Sequence, residues 1–145
     1  MKREGSLVFT RGTFRMENPV ETVRISKQGK DQLLKIRRQT GIEHWNTLCR
    51  WAFCASLRET KIPTAYGEKI DGGVEMTWKV FSGEQSDIYA ALIYIRARQD
   101  GFPSTPDGMA SCLRTHIHRG LGYLASGTTT RSISDFATRW LAIPS

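Results

Sequence analysis

The stretch VRISKQGKDQLLKIRRQTGIEHWNTLCRWAFCASLR (23–58) decides how this chain reads. It opens on alternation. Glu21, Val23 and Ile25 fall on one side of an extended segment and Thr22, Arg24 and Ser26 on the other, which predicts a short strand from Val20 through Ile25. Ser26 then supplies an N-cap oxygen for a helix from Lys27 to about Gln39. Thr40 and Gly41 end it, Gly41 being suited to the left-handed position after a helix. On a helical wheel Gly29, Leu33 and Ile36 share one face, while Lys27, Lys30, Lys35, Arg37 and Arg38 fan across the opposite one. Asp31 is the only acid on this helix. Leu34 sits among the cations instead of with the core residues, so it is expected to meet another subunit.

A second helix is predicted from Glu43 to about Arg58. From Leu48 to Leu57 only Arg50 and Ser56 interrupt its apolar residues, and a helix apolar nearly all round must be covered nearly all round. The residues before the following loop are too few to surround it. The second half of the chain, a second copy, or both must do so, and Trp45 and Trp51 join Leu34 as the expected contact between copies.

Outward from this stretch the pattern repeats in kind. Residues 59–73 hold Pro63, Gly67, Gly72 and Gly73 and read as a loop crossing the surface. Val74 to Phe81 alternates again and predicts a second strand. Ser86 to about Gln99 has apolar residues at helical spacing (Ile88, Tyr89, Leu92, Ile93, Ile95) and stops at Asp100, Gly101 and Pro103. Pro106 and Asp107 open another helix reaching about Leu124. Strand, helix, helix therefore occurs twice, from Val20 and from Val74, in element order and not in residue identity; internal duplication is one reading of it. The expected fold is mainly α with short β-strands, built on a ribbon-helix-helix-like strand-helix-helix unit. Residues 1–18 read as an arm with at most one short strand, 19–125 as a single domain, and 126–145 as a tail with a Thr-rich stretch and an aromatic piece (Phe136, Trp140, Leu141).

Composition bounds the function. The chain has 145 residues, 39% hydrophobic and 24% charged, which suits one domain. No stretch approaches the roughly 18 apolar residues that a membrane span needs. Cys49, Cys54 and Cys112 are odd in number and form no CxxC pair, so neither a disulfide framework nor a zinc ribbon is indicated, and a reducing cytoplasm is expected. Lys and Arg number 21 against 14 Asp and Glu. Residues 1–64 hold 13 basic and 6 acidic side chains, whereas 65–145 hold 8 of each, so the whole excess lies in the first part. Nucleic acid, an anionic membrane surface or an acidic protein would each fit such a face.

Catalytic apparatus is hard to find. Cys112 and His116 share a helix face, but His118 points well away from His116, so the three do not converge on a metal, and no carboxylate adjoins them in sequence. A packed cysteine and partly exposed histidines near Arg114 and Arg119 are expected there. Cys49 and Cys54 lie in the most apolar helix, where burial makes a thiol inert. Walker A, GxGxxG, HExxH and GxSxG motifs are all missing from the sequence. Binding DNA needs less: cationic heads that reach phosphates, which the stretch from Arg24 to Arg38 supplies. Arg24 on an outward strand face ahead of a basic helix is how a strand pair could lie against DNA in a ribbon-helix-helix protein. The RNP signatures of RNA-binding sheets are missing.

VRISKQGKDQL (23–33), TGIEHWNTLCRWAFCASL (40–57), VEMTWKVFSGE (74–84) and HIHRGLGYL (116–124) together resemble the DndE family of DNA sulfur-modification proteins, over roughly residues 20–124. The resemblance implies a small, non-catalytic cytoplasmic subunit, without cofactor or metal, of the bacterial machinery that replaces a non-bridging phosphate oxygen of DNA with sulfur. It implies PAPS-reductase-like and ATPase-like partner proteins, a cysteine desulfurase as the sulfur source, nicked duplex DNA as a ligand, and a homotetramer. The function expected is a DNA-binding accessory subunit that grips duplex DNA through Arg24, Lys27, Lys30, Lys35, Arg37 and Arg38, residues assigned by their placement and not by the family. The alternative is an assembly subunit that docks onto the other modification proteins without touching DNA. Nothing transfers from the family to the arm or to the tail after Ser126.

Overall fold

A four-residue strand leaves its backbone groups unpaired unless a partner is at hand, and among the described residues each strand finds one. The computed structural model describes residues 7–10, 13–67 and 70–126. β1 (Leu7–Thr10) pairs antiparallel with β2 (Thr13–Met16), so the arm holds a hairpin where at most one strand was expected. β3 (Thr22–Ile25) pairs antiparallel with β4 (Val74–Thr77), setting Val23 opposite Met76 and Arg24 opposite Glu75. Val23, Ile25 and Met76 face the core; Arg24, Glu75 and Thr77 face outward.

α1 (Lys27–Thr40) begins where the Ser26 hydroxyl accepts the Gly29 amide, and ends at Gly41, whose φ of 77° needs no Cβ and whose amide returns to the Arg37 carbonyl. α2 (Trp45–Leu57) starts two residues later than the sequence reading placed it, and its N-cap residue, His44, makes no side-chain cap bond. The second strand is shorter than expected. Thr77 Oγ1 accepts the Val80 amide at 3.2 Å and turns the chain into α3 (Trp78–Ser82), which buries Trp78 and Phe81 and leaves Val80 exposed. Alternation through Phe81 was a coincidence of residue type. A single 3-10 turn (Gly83–Gln85) leads to α4 (Ser86–Asp100), and Thr105 caps α5 (Pro106–Ala125).

α5 is the axis of the core. It lies along α2 and is flanked by α1 and α4, with β3 across it. Gly120 permits the close approach of α5 to α2: a Cβ there would stand 1.7 Å from the Ala52 carbonyl oxygen. Phe53 of α2 fills the centre against the rings of Phe81, Tyr89 and His116. The apolar helix α2 is thus covered largely by the second half of its own chain, while Trp45, Trp51 and Leu57 remain half-buried. Among the described residues, no helix is long and apolar enough to cross a membrane.

Candidate nucleic-acid interface

α1 turns Gly29, Leu33, Ile36 and Thr40 inward, so the helix period carries its cations outward. Lys27 and Arg38 are exposed, and Lys30, Lys35 and Arg37 are half-buried at the flanks. Among the described residues, no ion pair takes up any of these five. Arg37 lies over the Trp45 ring, 4.7 Å from its centre, which fixes the guanidinium without neutralising it. Lys35 joins Gln28, Asp31 and Gln32 on one wall of an open groove of about 410 Å³, whose other wall is Gly122, Ala125 and Ser126 at the end of α5. Arg24 stands on the outer face of the β3–β4 ribbon. Its Nε is 3.9 Å from Glu75 Oε2, and both side chains are more than half exposed, so the pairing is weak and screened. Leu34, Trp45 and Trp51 are all half-buried.

Two buried histidines hold this surface in place. His118 of α5 accepts the Ser26 backbone amide on Nε2 at 3.1 Å, and its Nδ1 donates to the Arg114 carbonyl at 2.7 Å. Tyr66 stacks on the His118 ring at 3.8 Å and donates its hydroxyl to Ser26 Oγ at 2.8 Å. The N-cap of α1 is therefore fixed from α5 and from the 59–73 loop. That loop is strapped to the body at Tyr66, more than a surface crossing. Burial holds the His118 imidazole neutral by pushing its pKa down.

His116 anchors a second network. Its Nε2 is 2.7 Å from Asp100 Oδ2 and its Nδ1 is 2.8 Å from Ser56 Oγ. The assignment that satisfies every partner has Nε2–H donating to the carboxylate and the Ser56 hydroxyl donating to Nδ1, while Arg119 Nε donates to Ser56 Oγ at 2.8 Å. Arg96 Nε grips both Asp100 oxygens, at 3.0 and 3.1 Å, and its other nitrogens donate to the carbonyls of Leu57 and Glu59. Burial pushes the His116 pKa down, against the opposing pull of Asp100. Serine, histidine and aspartate in series resemble a catalytic relay, but Ser56 and His116 have no exposure, which closes the hydroxyl to any substrate. The network braces α2, α4 and α5.

These positions correct the sequence reading on burial and add a partner that does not adjoin in sequence. Both histidines are buried, not partly exposed, and a carboxylate does meet His116, delivered by the end of α4 from 16 residues away. His116 and His118 point to different partners, so they do not converge with Cys112. The thiols of Cys49 and Cys112 are pushed up to about 12 by burial, and that of Cys54 is raised by the same cause.

Comparison with known proteins bears on this arrangement. The family model for DndE, described as DNA sulphur modification protein DndE, matches residues 22–132, from β3 to beyond α5. The chain belongs to the DndE family. Among solved structures it is similar to DndE from Escherichia coli B7A, described as involved in DNA phosphorothioation modification. The match covers 72% of this chain and 95% of that one, at 24% identity and a TM-score of 0.55. That likeness carries the fold. No curated protein matches the chain. Membership of the DndE family makes DNA the polymer whose modification this chain serves.

Proposed function

We propose that this DndE-family chain is a non-catalytic, DNA-binding accessory subunit of a phosphorothioate-modification system. One observation carries the reading: five cations of α1, free of ion pairs among the described residues, spread over the outward face and flanks of a helix whose N-cap is clamped from behind. Lys27, Lys30, Lys35, Arg37 and Arg38, with Arg24 on the adjoining ribbon, grip phosphates by charge and without base readout. A nick lowers the energy of bending the duplex, so a rigid cationic surface favours nicked over intact DNA. The proximity of β3, α1 and α2, facing β4 and its following helices, suits a ribbon-helix-helix-like and internally duplicated unit within residues 19–125. Four copies assemble, with Leu34, Trp45 and Trp51 at one contact. The subunit works in the cytoplasm beside PAPS-reductase-like and ATPase-like partners, and needs no cofactor.

Titration of the purified protein against nicked and intact duplex at two salt concentrations tests the reading. Binding that weakens steeply with salt, prefers the nicked duplex, and is lost on charge reversal at Lys27, Lys30, Arg37 and Arg38 supports it. Unchanged binding by that folded fourfold variant overturns the surface. No binding by the protein alone, with retention by a modification partner, would instead favour an assembly subunit.

A further inference from the structure

Ser26 Oγ is the hub of a closed set of hydrogen bonds. It accepts the Gly29 amide at 3.0 Å and the Tyr66 hydroxyl at 2.8 Å, and it stands 3.1 Å from His118 Nε2. A serine hydroxyl has two acceptor positions and one proton, so with both positions filled its own proton goes to Nε2. Nε2 then takes two donors, this hydroxyl and the Ser26 amide. The ring has little room to retreat. Tyr66 is stacked on it with centres 3.8 Å apart, and a Cβ on Gly29 would stand 3.2 Å from Nε2.

The groups around the ring offer a second proton no counter-charge. β3 and the start of α1 present Ile25, Ser26 and Gly29, the charges of that first turn being Lys27 and Lys30. The loop presents the Tyr66 phenol, and α5 itself carries Arg114, whose charge opposes another. Among the described residues no carboxylate pairs with His118.

From this arrangement we infer that Ser26, Tyr66 and His118 form a proton-operated latch on the cationic helix: protonation of His118 expels the Tyr66 hydroxyl and unseats the cap of α1. An imidazolium Nε2–H has Ser26 Oγ as the acceptor within reach, and both acceptor positions there are taken, so it enters by displacing one of their donors. The Gly29 amide is fixed by the helix. The Tyr66 phenol leaves by rotation of its side chain, because its backbone amide is held separately by Thr115 Oγ1 at 3.2 Å. The Ser26 amide is meanwhile set against a donor, and the turn bearing Lys27 and Lys30 loses its anchor on α5.

This regulation rests on the proposed DNA-binding role of α1, and it gives binding an unusual sign. Acid also charges the exposed His44, which by itself strengthens attraction to phosphates. The latch does the reverse: binding weakens as pH falls. By reciprocity, bound nicked duplex lowers the pH at which His118 titrates.

Proton NMR of the full chain between about pH 7.5 and 5, across the ordinary histidine range, tests the latch. The Tyr66 ring signals should shift with the same midpoint as the His118 imidazole. Tyr66→Phe, which leaves one acceptor position of Ser26 Oγ open to the imidazolium, should raise that midpoint. An imidazole that stays neutral throughout, Tyr66 signals that do not follow it, or a midpoint unchanged in Tyr66→Phe overturns the latch. Titration of nicked duplex at constant salt reads the consequence. Affinity of the unaltered chain should fall about tenfold over the same interval at an unchanged circular dichroism spectrum, as for the loss of one or two phosphate contacts. His118→Gln, whose amide oxygen can still accept the Ser26 amide, should show no such fall. Affinity that rises on acidification, or that falls equally in His118→Gln, overturns the regulation. Failure to bind even at about pH 7.5 would overturn the reading of α1 itself, whatever the imidazole signals do, so the two failures are distinguishable.

Discussion

The backbone amide of Ser26 donates to Nε2 of His118 at 3.1 Å, joining the residue that caps α1 to the middle of α5 across 92 positions of sequence. Nε2 can accept only while the imidazole is neutral, because Nδ1 already donates its proton to the Arg114 carbonyl. Protonation would set N–H against N–H at the root of the cationic helix.

The folded-state pKa of His118 is depressed by burial, and that of His116 likewise. The unfolded chain therefore binds more protons in the window below the ordinary histidine value of about 6.5. Stability from these residues is fully present above that value and declines as pH falls beneath it. Thermal melts between about pH 7.5 and 5 should show a falling midpoint, with a shallower fall for His118→Gln, which removes one of the two titrating groups. Parallel curves for the two proteins would refute the assignment.

Neutralising single cations should change salt dependence by a countable amount. Each phosphate contact removed lowers the slope of log affinity against log salt by about 0.9 on duplex DNA. Lys30→Gln and Arg38→Gln are expected each to lose that much. Glu75→Gln should instead raise affinity slightly, by releasing Arg24 from its weak partner across the ribbon. Salt titrations of the three variants check both directions.

Local signals were the legible ones. The Ser26 cap, the Gly41 stop and the inward stripe of α1 follow from neighbours within a turn or two, and the structure has each where the sequence put it. The second strand was overrun because Thr77, the residue that caps α3, also fits a strand, and alternation by itself does not tell which role wins. What could not be read was anything joined across the chain. Asp100 reaches His116, and Tyr66 reaches His118, only once α4, α5 and the loop have packed. The double-sided apolar pattern of α4 was visible in Ile88, Leu92 and Ile95, but which side faced the core required the packing of α5. The cationic face was legible because helical period and composition alone determine it.

Gly120 should be among the least replaceable glycines of the DndE-like core. An added Cβ at this position meets the Ala52 carbonyl oxygen at 1.7 Å, and backbone on both sides prevents an inexpensive shift. Gly120→Ala is expected to destabilise by about 3 kcal/mol or more, at the upper end of overpacking costs. Gly122→Ala, where a Cβ meets nothing within 4 Å, should be tolerated. Comparison of the two in chemical denaturation isolates the steric effect from helix propensity, which favours alanine in both.

The cysteines should be silent in the native state. Cys49 and Cys112 are fully buried with thiols near 12, so a thiol reagent at neutral pH should label them only after unfolding. Cys54, half-buried and beside Tyr89, should label more slowly than a free thiol but ahead of the other two. Rapid native labelling of Cys112 would contradict the packing of α5 against α2.

Arg96 carries the heaviest electrostatic obligation in the fold. It holds the buried Asp100 carboxylate through two contacts and satisfies carbonyls of residues 57 and 59 at the end of α2. Arg96→Met keeps the apolar stem but leaves the carboxylate with His116 as its remaining partner, and removing one member of such a pair costs about 3–5 kcal/mol. Asp100→Asn alone strands the guanidinium less severely, since its carbonyl partners remain. The double variant should therefore cost less than the two single losses combined, because the uncompensated charge has gone. Denaturant unfolding of all four proteins gives the coupling directly. Additive losses would mean that Arg96 acts on the α2 end alone and that the Asp100–His116 pair stands by itself.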